Sequence, residues 1–212
     1  MLFFILGGSM NKWIKLLIII VTIFSILLIL KNLIKTNYKK EESGNTKSIK
    51  EIEDYILNIN SYKAKIKVTV TSNKNVNFYE LEQEVIGLQK VEQTALSPDD
   101  LKGIKIVYKD GTLEITNTNY NLTKIYKDYP YISNNGLFLT SFLEEYRKAE
   151  EKEIKEENGK IKMTYKNEKN KYNIKQVLYI NKSNLRPENL QIYDVNNECK
   201  VDIVYNEIEF NI

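Results

Sequence analysis

From Tyr62 to Val70 the chain alternates without a break. Tyr62, Ala64, Ile66, Val68 and Val70 share one parity, and Lys63, Lys65, Lys67 and Thr69 share the other. Successive side chains of an extended strand point to opposite faces, so this spacing predicts a strand with one face buried and one in water. An apolar strand face needs neighbours and a covering layer before it is stable. The flanking sequence supplies both. Phe78 to Val85 reads as the partner strand after a turn at Ser72-Asn73-Lys74-Asn75, with Glu80, Glu82 and Glu84 on its solvent face opposite Leu81 and Val85.

Upstream, Ser48 with Glu51 three residues on forms a capping-box pattern, and Ile49, Ile52, Tyr55, Ile56 and Ile59 make an apolar stripe at helical spacing. Downstream, strands are predicted over 87–95, 104–108, 113–116, 122–126, 160–165, 172–180, 190–193 and 199–210. Asp110-Gly111 and Asn158-Gly159 suit tight hairpin turns. Ser97-Pro98-Asp99-Asp100 has the cap and first-turn proline of a short helical turn. Leu137, Phe138, Phe142, Leu143 and Tyr146 mark a second amphipathic helix. In the last strand the apolar parity shifts between Tyr205 and Ile208, which predicts a bulge near Asn206 and Glu207.

The pattern is that of one α+β domain over residues 48–212. It has about ten antiparallel strands in a strongly curved sheet, a half-barrel, covered by two or three helices. The hollow of such a sheet either fills with the protein's own side chains or takes an apolar ligand. The residues expected to face it are Ile66, Val68, Val70, Tyr79, Leu81 and Val85.

Before this domain stands an unbroken apolar run from Leu16 to Leu30, led in by Lys12, Trp13 and Lys15 and closed by Lys31 and Lys35. A spanning helix needs about 17 to 25 residues, and 13–35 reaches that length when Lys15 and Lys31 snorkel towards the headgroups. The first-helix rule places the N-terminus in the cytoplasm and the domain outside. No small-x-small cleavage site follows Leu30, so the segment is expected to stay as a signal anchor. Residues 36–47 are polar and aperiodic, a tether. Residues 1–12 form an N-terminal extension. Gly7-Gly8-Ser9-Met10 fits a translated ribosome-binding site, which predicts a native start at Met10.

Charge and composition exclude several functions. The first 40 residues hold six lysines of the chain's 31 basic groups and no acid, which leaves 25 basic against 28 acidic groups beyond them. Nucleic-acid binding needs a basic face, and the domain lacks that excess. The chain has no histidine, so no imidazole base, nucleophile pair or histidine metal ligand is available, and neither a cofactor nor a metal is expected. Paired carboxylates such as Glu150, Glu151 and Glu153 remain, but the pattern reads as a solvated face. The single cysteine, Cys199, shares parity with Val201, Ile203 and Tyr205 and is expected to be a buried free thiol.

The ordered set of Tyr62-Lys-Ala-Lys-Ile-Lys-Val, Tyr79-Glu-Leu-Glu-Gln, Leu96-Ser-Pro-Asp-Asp-Leu-Lys-Gly103, Val107-Tyr-Lys-Asp-Gly111, Leu139-Thr-Ser-Phe-Leu-Glu-Glu-Tyr146 and Arg186-Pro-Glu-Asn-Leu-Gln-Ile-Tyr-Asp194 resembles the LolA-like half-barrel superfamily. Within it, the chain is most similar to the clostridial germination lipoproteins of the GerS group, over about residues 48 to 212. The resemblance implies a non-enzymatic protein of the forespore or spore envelope that supports a cortex peptidoglycan amidase of the CwlD type. Those relatives are lipoproteins, whereas no cysteine lies near the apolar run here, so the helix itself is the expected anchor. The carrier branch of the superfamily implies instead a module that binds a lipid or an acylated protein. Lys90-Val91-Glu92 lacks the aromatic and arginine pattern of those carriers.

Three readings stand at this point: a scaffold for a cell-wall enzyme, a tethered lipid or acyl binder, and an enzyme built on carboxylates. Exposed edge strands would also permit a homodimer. A hollow packed by its own helices favours the scaffold, and a continuous apolar cavity favours the ligand binder.

Overall fold

The computed structural model describes residues 47–87, 90–129, 136–167 and 173–210. They belong to one compact unit, Asn45–Ile212. The elements are α1 (Ile49–Leu57), β1 (Ser61–Thr71), β2 (Val76–Ile86), β3 (Lys90–Ser97), β4 (Ile104–Lys109), β5 (Thr112–Asn117) and β6 (Leu122–Tyr126). Then come α2 (Leu139–Lys148), β7 (Lys152–Glu157), β8 (Lys160–Lys166), β9 (Lys175–Asn181), β10 (Pro187–Tyr193) and β11 (Cys199–Phe210).

All eleven strands form one antiparallel sheet in the order β6-β5-β4-β3-β2-β1-β11-β10-β9-β8-β7. Two meanders, β1 to β6 and β7 to β11, are joined in sequence through α2 and in space by β1 pairing with β11. The first and last strands therefore lie at the centre. The alternation of β1 holds as expected: Tyr62, Ala64, Ile66 and Val68 are buried, while Lys63, Lys65 and Lys67 are exposed. On the solvent side Lys63 pairs with Glu82 and Lys67 with Glu80, the acids predicted to face water.

Three local predictions hold in detail. Ser48 and Glu51 form a capping box, with Ser48 N donating to Glu51 Oε2 at 2.7 Å and Glu51 N to Ser48 Oγ at 3.3 Å. Asp110 and Gly111 take φ of 48° and 76°, and Asn158 and Gly159 take 53° and 74°. These are the left-handed conformations that a two-residue hairpin turn requires. In β11, Lys65 pairs with Glu207 and Ile66 with Tyr205, so Asn206 is the extra residue of a bulge and the core parity passes from Tyr205 to Ile208.

Other expectations are corrected. The sheet has eleven strands, not about ten, because β7 reads Lys-Glu-Ile-Lys-Glu-Glu and has only Ile154 to signal a core face. Ile49 and Tyr55 of the helical stripe are exposed, and the core contact of α1 comes from Ile52 and Ile56. The short helical turn after Ser97 is present as expected, with Leu101 N and Lys102 N both donating to Pro98 O, while the helices among the described residues number two. Cys199 is half-buried, not buried. Ile192 pairs with Val201 but Tyr193 pairs with Cys199, so an irregularity at Lys200 takes the cysteine out of phase with the core residues that follow it. Burial pushes its thiol up, with Asp202 adding to the effect.

Candidate functional site

The site to be tested is the concave face of the sheet. Ile66, Val68, Leu81 and Val85 are buried on it, in a register that sets Ile66 opposite Leu81, while Val70 and Tyr79 are half-buried towards the hairpin tips. What covers this face is the protein itself. Leu139, Phe142, Leu143 and Tyr146 of α2 are essentially inaccessible, as are Ile52 and Ile56 of α1. Phe142 stands between Tyr146 and Tyr165, with ring centroids 5.9 Å and 5.3 Å away. The two helices are tied by Tyr146 Oη, which donates to Glu53 Oε1 at 2.9 Å; burial raises this phenol, and the neighbouring Glu53 raises it further.

A buried polar pin fixes α2 to the sheet. Tyr62 Oη donates to Gln83 Oε1 at 3.1 Å and accepts from Leu139 N at 3.1 Å. Gln83 Nε2 donates to Gln93 Oε1 and to Leu137 O. The N-cap position of α2 is Phe138, whose side chain caps nothing. A helix start leaves orphan N–H groups, and here a tyrosine from another strand satisfies one of them. Gln83 went unnoticed in the sequence. The signal was present, since it lies in phase with Leu81 and Val85 at a position that must be buried.

Among the described residues, four buried side-chain oxygens have no hydrogen-bond partner: Tyr165 Oη, Asn173 Oδ1, Gln176 Oε1 and Tyr205 Oη. Tyr165 and Gln176 are cross-strand neighbours on the concave face of β8 and β9. The phenol of Tyr205 is pushed up by burial alone.

Open space lies around the rim. A cleft of about 320 Å³ is lined by Ile59, Asn60, Gly87, Leu143 and Arg147, and a shallower one of about 240 Å³ by Ile104, Ile115 and Leu122. The two sheet edges differ. Strand β7 is charged almost throughout, which discourages pairing. Strand β6 has one lysine and exposes Leu122 and Ile125. Tyr126 and Tyr129 pack locally, rings 6.2 Å apart, while Pro130 and Tyr131 lie outside the described residues. Among the described residues no cluster of three or more Cys, Asp or Glu is placed to hold a metal. The anchor residues Lys12, Trp13, Lys15, Lys31 and Lys35 also lie outside the described residues, and among those described no helix is long and apolar enough to cross a membrane.

Residues 14–212 match the model of the sporulation protein YdcC-like family. The chain belongs to that family. No curated protein matches it. Among solved structures it is similar to the GerS lipoprotein of Clostridioides difficile, in a structure of the CwlD amidase in complex with GerS. The identity is 26%, the TM-score 0.50, and the match covers 76% of this chain and 93% of the other. A conserved protein of Thermus thermophilus shares the fold at 13% identity and a TM-score of 0.50, covering 78% of this chain and 88% of its own. A LolA superfamily protein of Nitrosomonas europaea matches at 11% identity and a TM-score of 0.40, over 79% and 95% of the two chains. The fold is shared with GerS, the group that the residues resembled.

Proposed function

We propose that this chain is a membrane-anchored, non-enzymatic accessory protein of sporulation, whose extracytoplasmic half-barrel binds and supports a cortex peptidoglycan amidase of the CwlD type. The observation that carries this reading is the likeness to GerS, whose structure is a complex with that amidase. Family membership supplies the sporulation context. The apolar run from Leu16 to Leu30 and its flanking lysines supply the anchor and the expected orientation.

The packing of the hollow supports a protein-binding role over a lipid-binding one. A carrier needs a continuous apolar cavity along the concave face. Here Phe142, Tyr146 and Ile56 are themselves fully buried in the core, with Phe142 against Tyr165. With no histidine in the chain, a general-base site would have to be built on carboxylates, and Glu80, Glu82 and Glu84 on the outer face of β2 each meet a lysine. The exposed edge of β6 offers a partner unpaired backbone groups.

The test is reconstitution. The full-length protein in mild detergent is mixed with the purified CwlD-type amidase of the same organism. A one-to-one complex on size-exclusion chromatography and a gain in amidase turnover on cortex fragments are expected. An amidase that neither co-elutes nor responds would refute the reading.

A further inference from the structure

The convex face of the sheet is divided in two. Over β1 to β4 it is a lattice of ion pairs in which each carboxylate meets a lysine: Glu80 with Lys67 at 3.1 Å, Glu82 with Lys63 at 3.5 Å, Glu84 with Lys90 at 2.8 Å and Glu92 with Lys105 at 2.5 Å. Over β9 to β11 the composition changes. The residues on that side include Tyr179, Asn189, Gln191, Tyr193 and Asp202, with Lys175, Val177 and Val204 beside them, as the registers of the three strands require. Asp202 Oδ1 accepts from Asn189 Nδ2 at 2.9 Å and from Gln191 Nε2 at 3.0 Å. Tyr193 Oη donates to Gln191 Oε1 at 2.7 Å. Among the described residues Asp202 makes no ion pair, so it is a carboxylate held in place by neutral amides.

We propose that this aromatic and amide face is a binding platform for a neutral, linear, N-acetylated glycan. A sugar ring offers a flat C–H surface ringed by hydroxyl and acetamide groups. Tyrosine supplies an apolar ring face together with a polar tip, which suits the first. Oriented amides and an acceptor carboxylate suit the second, because a hydroxyl can donate to the remaining oxygen of Asp202 without meeting a competing cation. Val177 points the same way yet is only 3% exposed, because its neighbours lie across it. Lys162, which also pairs with Glu157, and Lys175, which also donates to Asn197 Oδ1, stand over the rings of Tyr179 and Tyr193 at 5.6 Å and 4.1 Å, and a ligand that stacks on either ring displaces the ammonium group above it.

The extent of the face points to a polymer. Gln191 pairs with Asp202, Asp202 with Thr69, and Thr69 with Phe78, so one rung runs from Gln191, beside the tyrosines, across to β2. Phe78 is 67% exposed there. Three strand spacings separate it from Gln191, about 14 Å. Tyr193 stands two residues beyond Gln191 on the same side of β10, so the two aromatic contact points lie somewhat farther apart than that, with polar groups between, and engage more than one sugar ring. That the polymer is the amino-sugar strand of the cell wall rests on the proposed function; recognition of a neutral glycan stands on the face itself.

The test uses full-length protein in mild detergent, with a soluble hexamer of β-1,4-linked N-acetylglucosamine as the probe and calorimetry as the readout. Wild type is expected to bind. Tyr193→Ala and Gln191→Ala are expected to weaken binding about tenfold or more, Tyr193→Phe to keep most of it, and Lys63→Ala in the ion-pair lattice to leave it unchanged. Circular dichroism of each variant checks the fold. Absence of binding by wild type, or equal binding by all folded variants, overturns the proposal. Loss of amidase co-elution in Tyr193→Ala without any glycan binding also overturns it and assigns the face to a protein partner. Glycan binding without amidase co-elution supports the platform and refutes only the accessory role.

Discussion

Tyr62 and Leu139, 77 positions apart, meet where the tyrosine hydroxyl on β1 accepts the first N–H of α2 at 3.1 Å. The same hydroxyl donates to Gln83 on β2. One phenol thus joins the centre of the sheet to the helix that fills its hollow. If the hollow is to stay closed, this pin must hold.

Tyr62→Phe removes the acceptor of Leu139 N and the donor to Gln83 Oε1 while keeping the ring. Both groups stay buried without their partner, and a cost of about 1–3 kcal/mol is expected. Urea unfolding measures it. Because the two residues share one network, Gln83→Leu should cost less in the Tyr62→Phe background than in the wild type, and strictly additive values would show that the pin is not a unit.

Tyr205→Phe should behave in the opposite way. The hydroxyl of Tyr205 is buried with no hydrogen-bond partner, so deleting it removes a desolvated group and no bond. A neutral to stabilising change of up to about 1 kcal/mol is expected. A clear fall in melting temperature would mean that the hydroxyl is satisfied in solution.

Phe142→Ala empties the middle of the filled hollow. Loss of a fully buried phenylalanine costs about 3–5 kcal/mol. The variant should also gain affinity for a fluorescent acyl probe that the wild type ignores. Strong probe binding by wild type would contradict the packing of α2 against Tyr165.

Glu188 gives a pH signature. The hydrogen bond from Lys160 holds its carboxyl below the usual value of 4.5, and Asn181 adds to this against the opposing effect of burial. A depressed folded pKa contributes stability that is present above the unfolded value and is lost as pH falls through the folded one. Unfolding free energy should therefore drop below pH 4.5, and Glu188→Gln should shrink the difference between pH 7 and pH 3. An unchanged difference would show that the 2.7 Å pair with Lys160 is not kept in solution.

Much of this was legible in the sequence because it is local. The capping box at Ser48, the Asp110-Gly111 and Asn158-Gly159 turns and the parity of β1 each follow from neighbouring residues. The bulge at Asn206 was legible for the same reason, since both apolar parities of β11 are visible on either side of it. Strand β7 was not, because an edge strand in water carries charge in place of alternation. Cys199 misled because a single irregularity at Lys200 flips the parity on which its burial was argued. The concave residues Ile66 and Leu81 could be placed on one face, but the helix residue Phe142 that meets Tyr165 across the hollow could not. The pin at Gln83 fell between these cases: its phase was readable, while its partners 10 to 54 residues away were not.

The most direct test is to isolate the full-length protein, tagged at its C-terminus, from sporulating cells in mild detergent, with mass spectrometry of both proteins and lipids. An accessory protein with a filled hollow predicts a CwlD-type amidase in stoichiometric amount and no stoichiometric lipid. Stoichiometric lipid with no amidase would contradict the account and make the chain a tethered lipid-binding module.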